Sequence, residues 1–358
     1  MSVRESRLHN AVLADGNPSM TFHTTRRQQF LGESHFMWMR DDCTEGITNI
    51  EPIIQKALSQ SDGDYAADRI SFQSLLKFQA LILEFTAGSH IEELRPRLEQ
   101  VVASYERFGE QLWQNTQKRN EPVFEFDVID SYCQLMQMVG LCFLLHRRDL
   151  LPRIAAMQDG VDATGQKGEG LGGSDWNFEE FMSFAVGPEN RYESETIHWS
   201  KPYEALADAM SSEDNDAALR HLDLFLKHWY KDLAGTGWHD SHKPDEQGNQ
   251  GGYYGYWSFE AGAAVLLLGI EDDSSLYKYL YYPKDMVAWA REHTALSTPA
   301  DKAGALRLRV MAGAPCPRTG YWFTPARENS RAHFEAGSNM PDVGSSWGAT
   351  IWQWDEQQ

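Results

Sequence analysis

Apolar residues recur every three or four positions through most of the first 300 residues, which is the period of an α-helix with one buried face. The clearest run lies between residues 219 and 233, where lysines fall between the apolar positions Leu219, Leu222, Leu226, Trp229 and Leu233. Gly235 and Gly237 end this helix. The same period predicts an antiparallel helical bundle before residue 160, and short helices near 176–184 and 203–210.

The segment 159–174 separates these helical regions. It contains six glycines and no aromatic residue, a composition typical of a linker or boundary loop. We therefore predict an N-terminal helical domain over 1–160 and a second helical domain over 175–298. A third region, 299–358, is expected to be a small β-rich extension.

The pattern changes after residue 298. Leu306, Leu308 and Val310 alternate with polar or flexible residues, and strand-like segments follow at 321–324 and in the final WGATIWQWD. Two or three antiparallel strands are expected. The predicted fold class is mainly α: two helical-bundle domains with a small antiparallel β appendage at the C-terminus.

The most apolar stretch, 253–270, is predicted to be the central buried helix. Its length would suffice to span a bilayer, but several glycines, Ser258 and Glu260 dilute it. Glu260 is its only acid, and a buried carboxylate must find hydrogen-bond partners or become neutral. One interpretation is a general acid with a raised pKa. We favour a structural acid that accepts hydrogen bonds from a tyrosine, a tryptophan or nearby histidines.

Residues 238–252 are polar and glycine-rich, which predicts a surface loop. His239, Asp240 and His242 are ligand types for a metal. Two histidines three residues apart in a flexible loop lack the rigid helix of zinc-protease sites, so no metal is expected. Adjacent residues in a loop point apart, and no nucleophile-elbow glycines surround Ser241. A catalytic triad of Ser241, His239 and Asp240 is therefore not expected either.

The net charge of −20 changes the functional picture most. It disfavours a nucleic-acid or anionic-membrane binder and favours a soluble protein with a basic partner. The four cysteines are scattered, the N-terminus lacks the apolar stretch of a signal peptide, and no phosphate-binding loop motif occurs. These features predict a cytoplasmic protein without a cofactor.

Six short motifs follow one another between residues 227 and 287: KHWY (227–230), GWHDSHK (237–243), YYGYWSFEAGA (253–263), LGI (268–270), DDSSL (272–276) and YYPKDMV (281–287). Together they resemble the C-terminal domain of the PoNi family, the immunity proteins of bacterial polymorphic nuclease toxins. The phrases PCPRTGYWFTPA and TIWQWD resemble a short module attached to proteins of type VI secretion and Rhs toxin systems.

The resemblance implies a non-enzymatic immunity protein that neutralises a cognate secreted toxin by stoichiometric binding. The toxin is expected to be a type VI nuclease, a DNase with a basic cleft. The family supplies no catalytic residues, so charge and expected exposure select the candidate toxin-binding residues: Trp238, Asp240, Asp245, Glu246, Glu271, Asp272 and Asp273. A homodimer is left open. The alternatives are an enzyme that reverses toxin damage with His239, Asp240 and Glu260, or an adaptor that loads the toxin for secretion.

Overall fold

The structure is a computed structural model, and it describes residues 18–118, 121–161, 167–168, 170, 172–212, 214–244, 251–296, 309–316, 318–324, 327, 330–344 and 350–355. Eleven α-helices lie in these ranges. They are α1 (Pro18–Thr25), α2 (Glu33–Ser59), α3 (Gly63–Ala87), α4 (Ile91–Thr116), α5 (Ile129–Leu144), α6 (Leu151–Gln158), α7 (Trp176–Val186), α8 (Ser200–Met210), α9 (Asn215–Asp232), α10 (Phe259–Leu267) and α11 (Lys284–Glu292).

Helices α2, α3 and α4 are joined by connections of three residues, which makes consecutive helices antiparallel neighbours. The Asp62 carboxylate accepts a hydrogen bond from the Tyr65 backbone N–H and caps α3. Gly88 ends α3 with a φ of 101°, a left-handed conformation that favours glycine.

Helix α5 lies at the centre of the helical body and is buried along almost its whole length. It crosses α10 so closely that a Cβ on Gly140 would lie 2.6 Å from the Phe259 carbonyl carbon. Cys133 and Cys142 are buried core residues. One continuous cluster of buried residues runs from Leu31 to Val287 and includes residues from both predicted helical domains. The division of the chain into domains stays a prediction.

The central helix is shorter than predicted. Only residues 259–267 of the apolar stretch are helical, and residues 253–258 are irregular backbone that is nevertheless buried. Gly255 has a φ of 128°, which no helical residue adopts. Tyr253, Tyr256 and Trp257 are buried along this irregular segment. The helix is predicted from hydrophobicity without a helical period, and that prediction is wrong for residues 253–258.

In the C-terminal half of the helical body, α9 contains most of the run 219–233 that the sequence predicts to be helical. The Asp214 carboxylate accepts a 2.7 Å hydrogen bond from the Ala217 backbone N–H and caps the helix. Helix α8 packs against α9, and α10 packs against α5, α8 and α11. Within the described ranges, no helix combines the length and the apolar character needed to cross a membrane.

The C-terminal sheet has four antiparallel strands in the order β3-β6-β4-β5. They are β3 (Arg309–Met311), β4 (Gly320–Phe323), β5 (Ala332–Phe334) and β6 (Ile351–Trp354), and a two-residue ladder of β1 (Gly160–Val161) and β2 (Lys167–Gly168) precedes them. Cys316, Trp322, Met340 and Trp352 form a separate small core. The predicted mainly α fold with a β appendage is confirmed. The sheet has four strands and not the predicted two or three, because β5 is too short to show an alternating pattern in the sequence.

Candidate partner-binding surface

The loop that follows α9 turns back onto the end of that helix. Trp238 stacks on Trp229 of α9, with ring centroids 5.2 Å apart and an interplanar angle of 21°. Only 9% of Trp238 is exposed. The expected exposure of Trp238 is therefore wrong, because its indole attaches the loop to the core, and its role in toxin binding stays a prediction.

Asp240 is held at the surface by two side chains. Its Oδ1 accepts a 2.8 Å hydrogen bond from the Tyr230 hydroxyl, and Lys243 Nζ lies 2.7 Å from Oδ2. The hydrogen bonds from Lys243 and Tyr230 lower the pKa of the Asp240 carboxyl. Asp240 is partly exposed, as expected, but Lys243 compensates much of its charge.

The two loop histidines pack on separate aromatic rings. His239 lies against Tyr230, with ring centroids 4.3 Å apart. His242 stacks on Phe30 at 4.2 Å, and its Nδ1 lies 2.8 Å from the Tyr256 hydroxyl oxygen. Burial lowers the pKa of His242. Nowhere in the described chain do three or more His, Cys, Asp or Glu side chains form a group that could hold a metal.

Glu260 on α10 is fully buried and joins three helices. The Trp229 indole N–H of α9 donates a 2.8 Å hydrogen bond to Oε1, and the Tyr203 hydroxyl of α8 lies 3.5 Å from the same atom. Burial raises the pKa of Glu260 to about 7. The tryptophan and tyrosine partners agree with the structural-acid interpretation, but no described hydrogen bond links Glu260 to the loop histidines.

The acidic residues after α10 differ in their exposure. Glu271 and Asp272 are exposed. Asp273 is only 2% exposed, because it accepts a hydrogen bond from the Tyr282 hydroxyl and pairs with Arg291 at 2.9 Å. The expected exposure of Asp273 is therefore wrong, since it holds α11 to the loop after α10.

The two loops lie at opposite ends of α9. Asn215 at the start of α9 donates a hydrogen bond to the Gly269 carbonyl, whereas the loop with Asp240 follows the last turn. An 18-residue helix is about 27 Å long. Beyond its first turn, where Asn215 and Asp216 are exposed, α9 exposes Arg220, Leu224, Lys227 and Lys231, and the three basic residues are called the basic strip. The candidate acids that the structure describes thus lie at two places with the basic strip between them. Asp245 and Glu246 lie outside the described residues.

Residues 173–286 match the family model described as PoNe immunity proteins (PoNi), C-terminal. These residues are similar to that C-terminal domain and are called the PoNi-like region. No curated protein matches this sequence. A solved structure, the crystal structure of protein PA2201 from Pseudomonas aeruginosa, aligns with a TM-score of 0.55 and 15% identity over 78% of this chain and 99% of that chain. At this identity the likeness concerns the fold alone.

The PoNi-like region contains both loops and Glu260, whereas α2 precedes it. The sequence analysis selects no candidate residue on α2, yet Trp38 is 49% exposed on that helix and precedes the exposed acids Asp41 and Asp42. The sequence signal for an exposed surface here is a tryptophan followed by acids within two helical turns. The helical period alone does not indicate this surface, because it does not say which face of a helix another element covers.

Proposed function

We propose that this chain is an immunity protein that binds a cognate secreted nuclease toxin and neutralises it by stoichiometric inhibition. The observation that carries the proposal is the match of residues 173–286 to the PoNi family. The toxin is proposed to be a DNase delivered by type VI secretion, and the immunity protein is proposed to act in the cytoplasm, where the toxin would reach its substrate.

The charge of the chain supports inhibition by binding. A nuclease presents basic groups to the phosphate backbone, and a net charge of −20 would accelerate association with such a surface. Electrostatically steered association reaches about 10⁸ M⁻¹s⁻¹ or more at low salt. Protection of the producing cell needs slow release, so we expect a Kd of about 1 nM or lower, equivalent to about 12 kcal/mol.

The arrangement of the polar residues also supports binding over catalysis. Glu260 belongs to a buried network with Trp229, while Asp240 belongs to a surface network with Tyr230 and Lys243. His239 lies against the ring of Tyr230, and its Nδ1 is 3.9 Å from Asp240 Oδ2. Glu260 thus makes its described hydrogen bonds in the buried core, whereas His239 and Asp240 contact the same tyrosine near the surface.

The test is protection in cells combined with capture of the toxin. The toxin encoded beside this gene is expressed with and without the present chain, and a tagged form of the chain is used to isolate the toxin. Survival with co-purification at a 1:1 ratio is expected. Co-purification without survival would replace inhibition by the adaptor role, and survival without any binding would favour an enzyme that reverses damage.

A further inference from the structure

Exposed apolar side chains are concentrated on one helical hairpin. Six of the nine large apolar residues with the greatest exposure in the described chain lie on α2 or α3: Met37, Trp38, Ile53, Leu58, Tyr65 and Phe72. Trp38 is the most exposed of them, at 49%, with Met37 beside it at 46%. Exposed tryptophan is costly to solvate, and tryptophan is enriched among residues that dominate binding energy at protein interfaces.

The surroundings of Trp38 on α2 are acidic. Asp41, Asp42 and Glu45 follow it by three, four and seven residues, spacings that place them on the same side of a helix, and all three are exposed. Arg40 forms an exposed ion pair with Asp41 at 3.2 Å and so compensates one of the three charges. Met37, Trp38, Asp41, Asp42 and Glu45 are together called the α2 patch.

The α2 patch adjoins the loop after α9, which belongs to the PoNi-like region. Trp38 packs against His35, with ring centroids 5.4 Å apart, and His35 Nε2 lies 2.8 Å from the Tyr253 carbonyl oxygen. The Tyr253 ring in turn contacts the loop residue His242, at a centroid distance of 6.2 Å. A continuous series of contacts therefore connects Trp38 with the loop that carries Asp240.

We propose that the α2 patch is a docking site for a basic segment of the toxin, which places an arginine or lysine over Trp38. Tryptophan is the best ring for a cation–π contact, and carboxylates on the same face can pair with a guanidinium through two hydrogen bonds. The acidic charge favours this occupant over a second copy of the chain, because a symmetric dimer through this face would bring acids against acids. The inference rests on the proposed immunity function and adds the surface and the chemistry of the contact.

A footprint with a single reactive thiol tests the location directly. All four native cysteines are buried, so a Met37→Cys substitution introduces an exposed thiol that maleimide can label selectively. Leu224→Cys is the matched control, since Leu224 is 45% exposed on the basic strip of α9. The probe is the catalytically inactivated toxin from the neighbouring gene, added at saturation. We expect the ratio of labelling rates, position 37 over position 224, to fall at least fivefold. A smaller fall, or a rise, overturns the proposal.

A charge-matched comparison tests the chemistry. Asp42→Lys with Glu45→Lys reverses two charges in the α2 patch, and Glu110→Lys with Glu204→Lys makes the same net change at exposed positions of α4 and α8. The first pair is expected to raise the Kd for the toxin at least tenfold more than the second pair. Equal effects of the two pairs would contradict the proposal.

The proposed immunity function and the proposed docking site can be refuted separately. If the wild-type chain does not bind the toxin, the proposed function fails and the docking site falls with it. If the wild-type chain binds with full affinity while Trp38→Ala and the lysine pair in the α2 patch bind equally well, the immunity function stands and only the docking site is wrong. Circular dichroism of each variant verifies that α2 is intact.

Discussion

Glu260 should make the stability of this protein fall as the pH rises towards neutrality. The folded protein raises the pKa of this carboxyl from its ordinary value of 4.5 to about 7, because the group is fully buried. Between these values the folded chain keeps a proton that the unfolded chain releases, so unfolding becomes easier as pH rises. Each unit corresponds to about 1.4 kcal/mol, which gives about 2–3 kcal/mol lost between pH 5 and pH 8.

The substitution Glu260→Gln isolates this effect. The glutamine carbonyl still accepts the hydrogen bond from the Trp229 indole N–H, but the side chain has no charge to bury. Glu260 Oε2 has no hydrogen-bond partner in the described chain, so the amide nitrogen that replaces it can lower the free energy of unfolding. That loss does not depend on pH. The free energy of unfolding of the variant minus that of the wild type should therefore rise by about 2–3 kcal/mol from pH 5 to pH 8.

Urea unfolding at both pH values, followed by circular dichroism, measures this double difference and cancels the titration of all other groups. Glu204→Gln is the control, because Glu204 is an exposed glutamate on α8 and its substitution should leave the pH dependence unchanged. A double difference for Glu260→Gln below about 0.5 kcal/mol would refute the argument that burial governs this carboxyl.

Three further outcomes follow from the packing and the surface charges. Arg191→Met should lower the free energy of unfolding by about 3–5 kcal/mol, because it removes the guanidinium that pairs with Asp159 and Glu179. A loss below about 1 kcal/mol would contradict this. Gly140→Ala should cost about 1–3 kcal/mol in urea unfolding through contact with the α10 backbone, whereas Gly235→Ala, with no atom within 4 Å, should be nearly neutral. Glu271→Lys with Asp272→Lys should weaken toxin binding by calorimetry more than tenfold at low salt, with a smaller effect at high salt. An unchanged Kd would remove this loop from the interface.

Periodicity predicted the helices well where local signals agree with packing. In α9 the apolar spacing and the glycines after the helix agree, and the structure has a helix that ends at Asp232, shortly before Gly235. The stretch before α10 lacked such agreement. Its aromatic residues are buried whichever way they point, so the apolar positions show no helical period. The positive φ of Gly255 marks the segment as irregular backbone.

Exposure at the candidate surface could not be predicted from the sequence, because it is set by contacts with residues on other elements of the fold. Trp238 is buried by a tryptophan on α9, and Asp273 by an arginine 18 residues later. Glu271 and Asp272, next to Asp273, are exposed, as expected. A run of acids in a loop therefore predicts net charge at that place but not which carboxylates reach solvent.

The most direct test of the immunity function is a titration of toxin activity. A fixed concentration of the purified toxin cleaves a DNA substrate while increasing amounts of this chain are added. We predict that cleavage falls linearly and vanishes at one equivalent, as expected for inhibition by tight 1:1 binding. Undiminished cleavage at several equivalents, with binding confirmed in the same samples, would contradict the account.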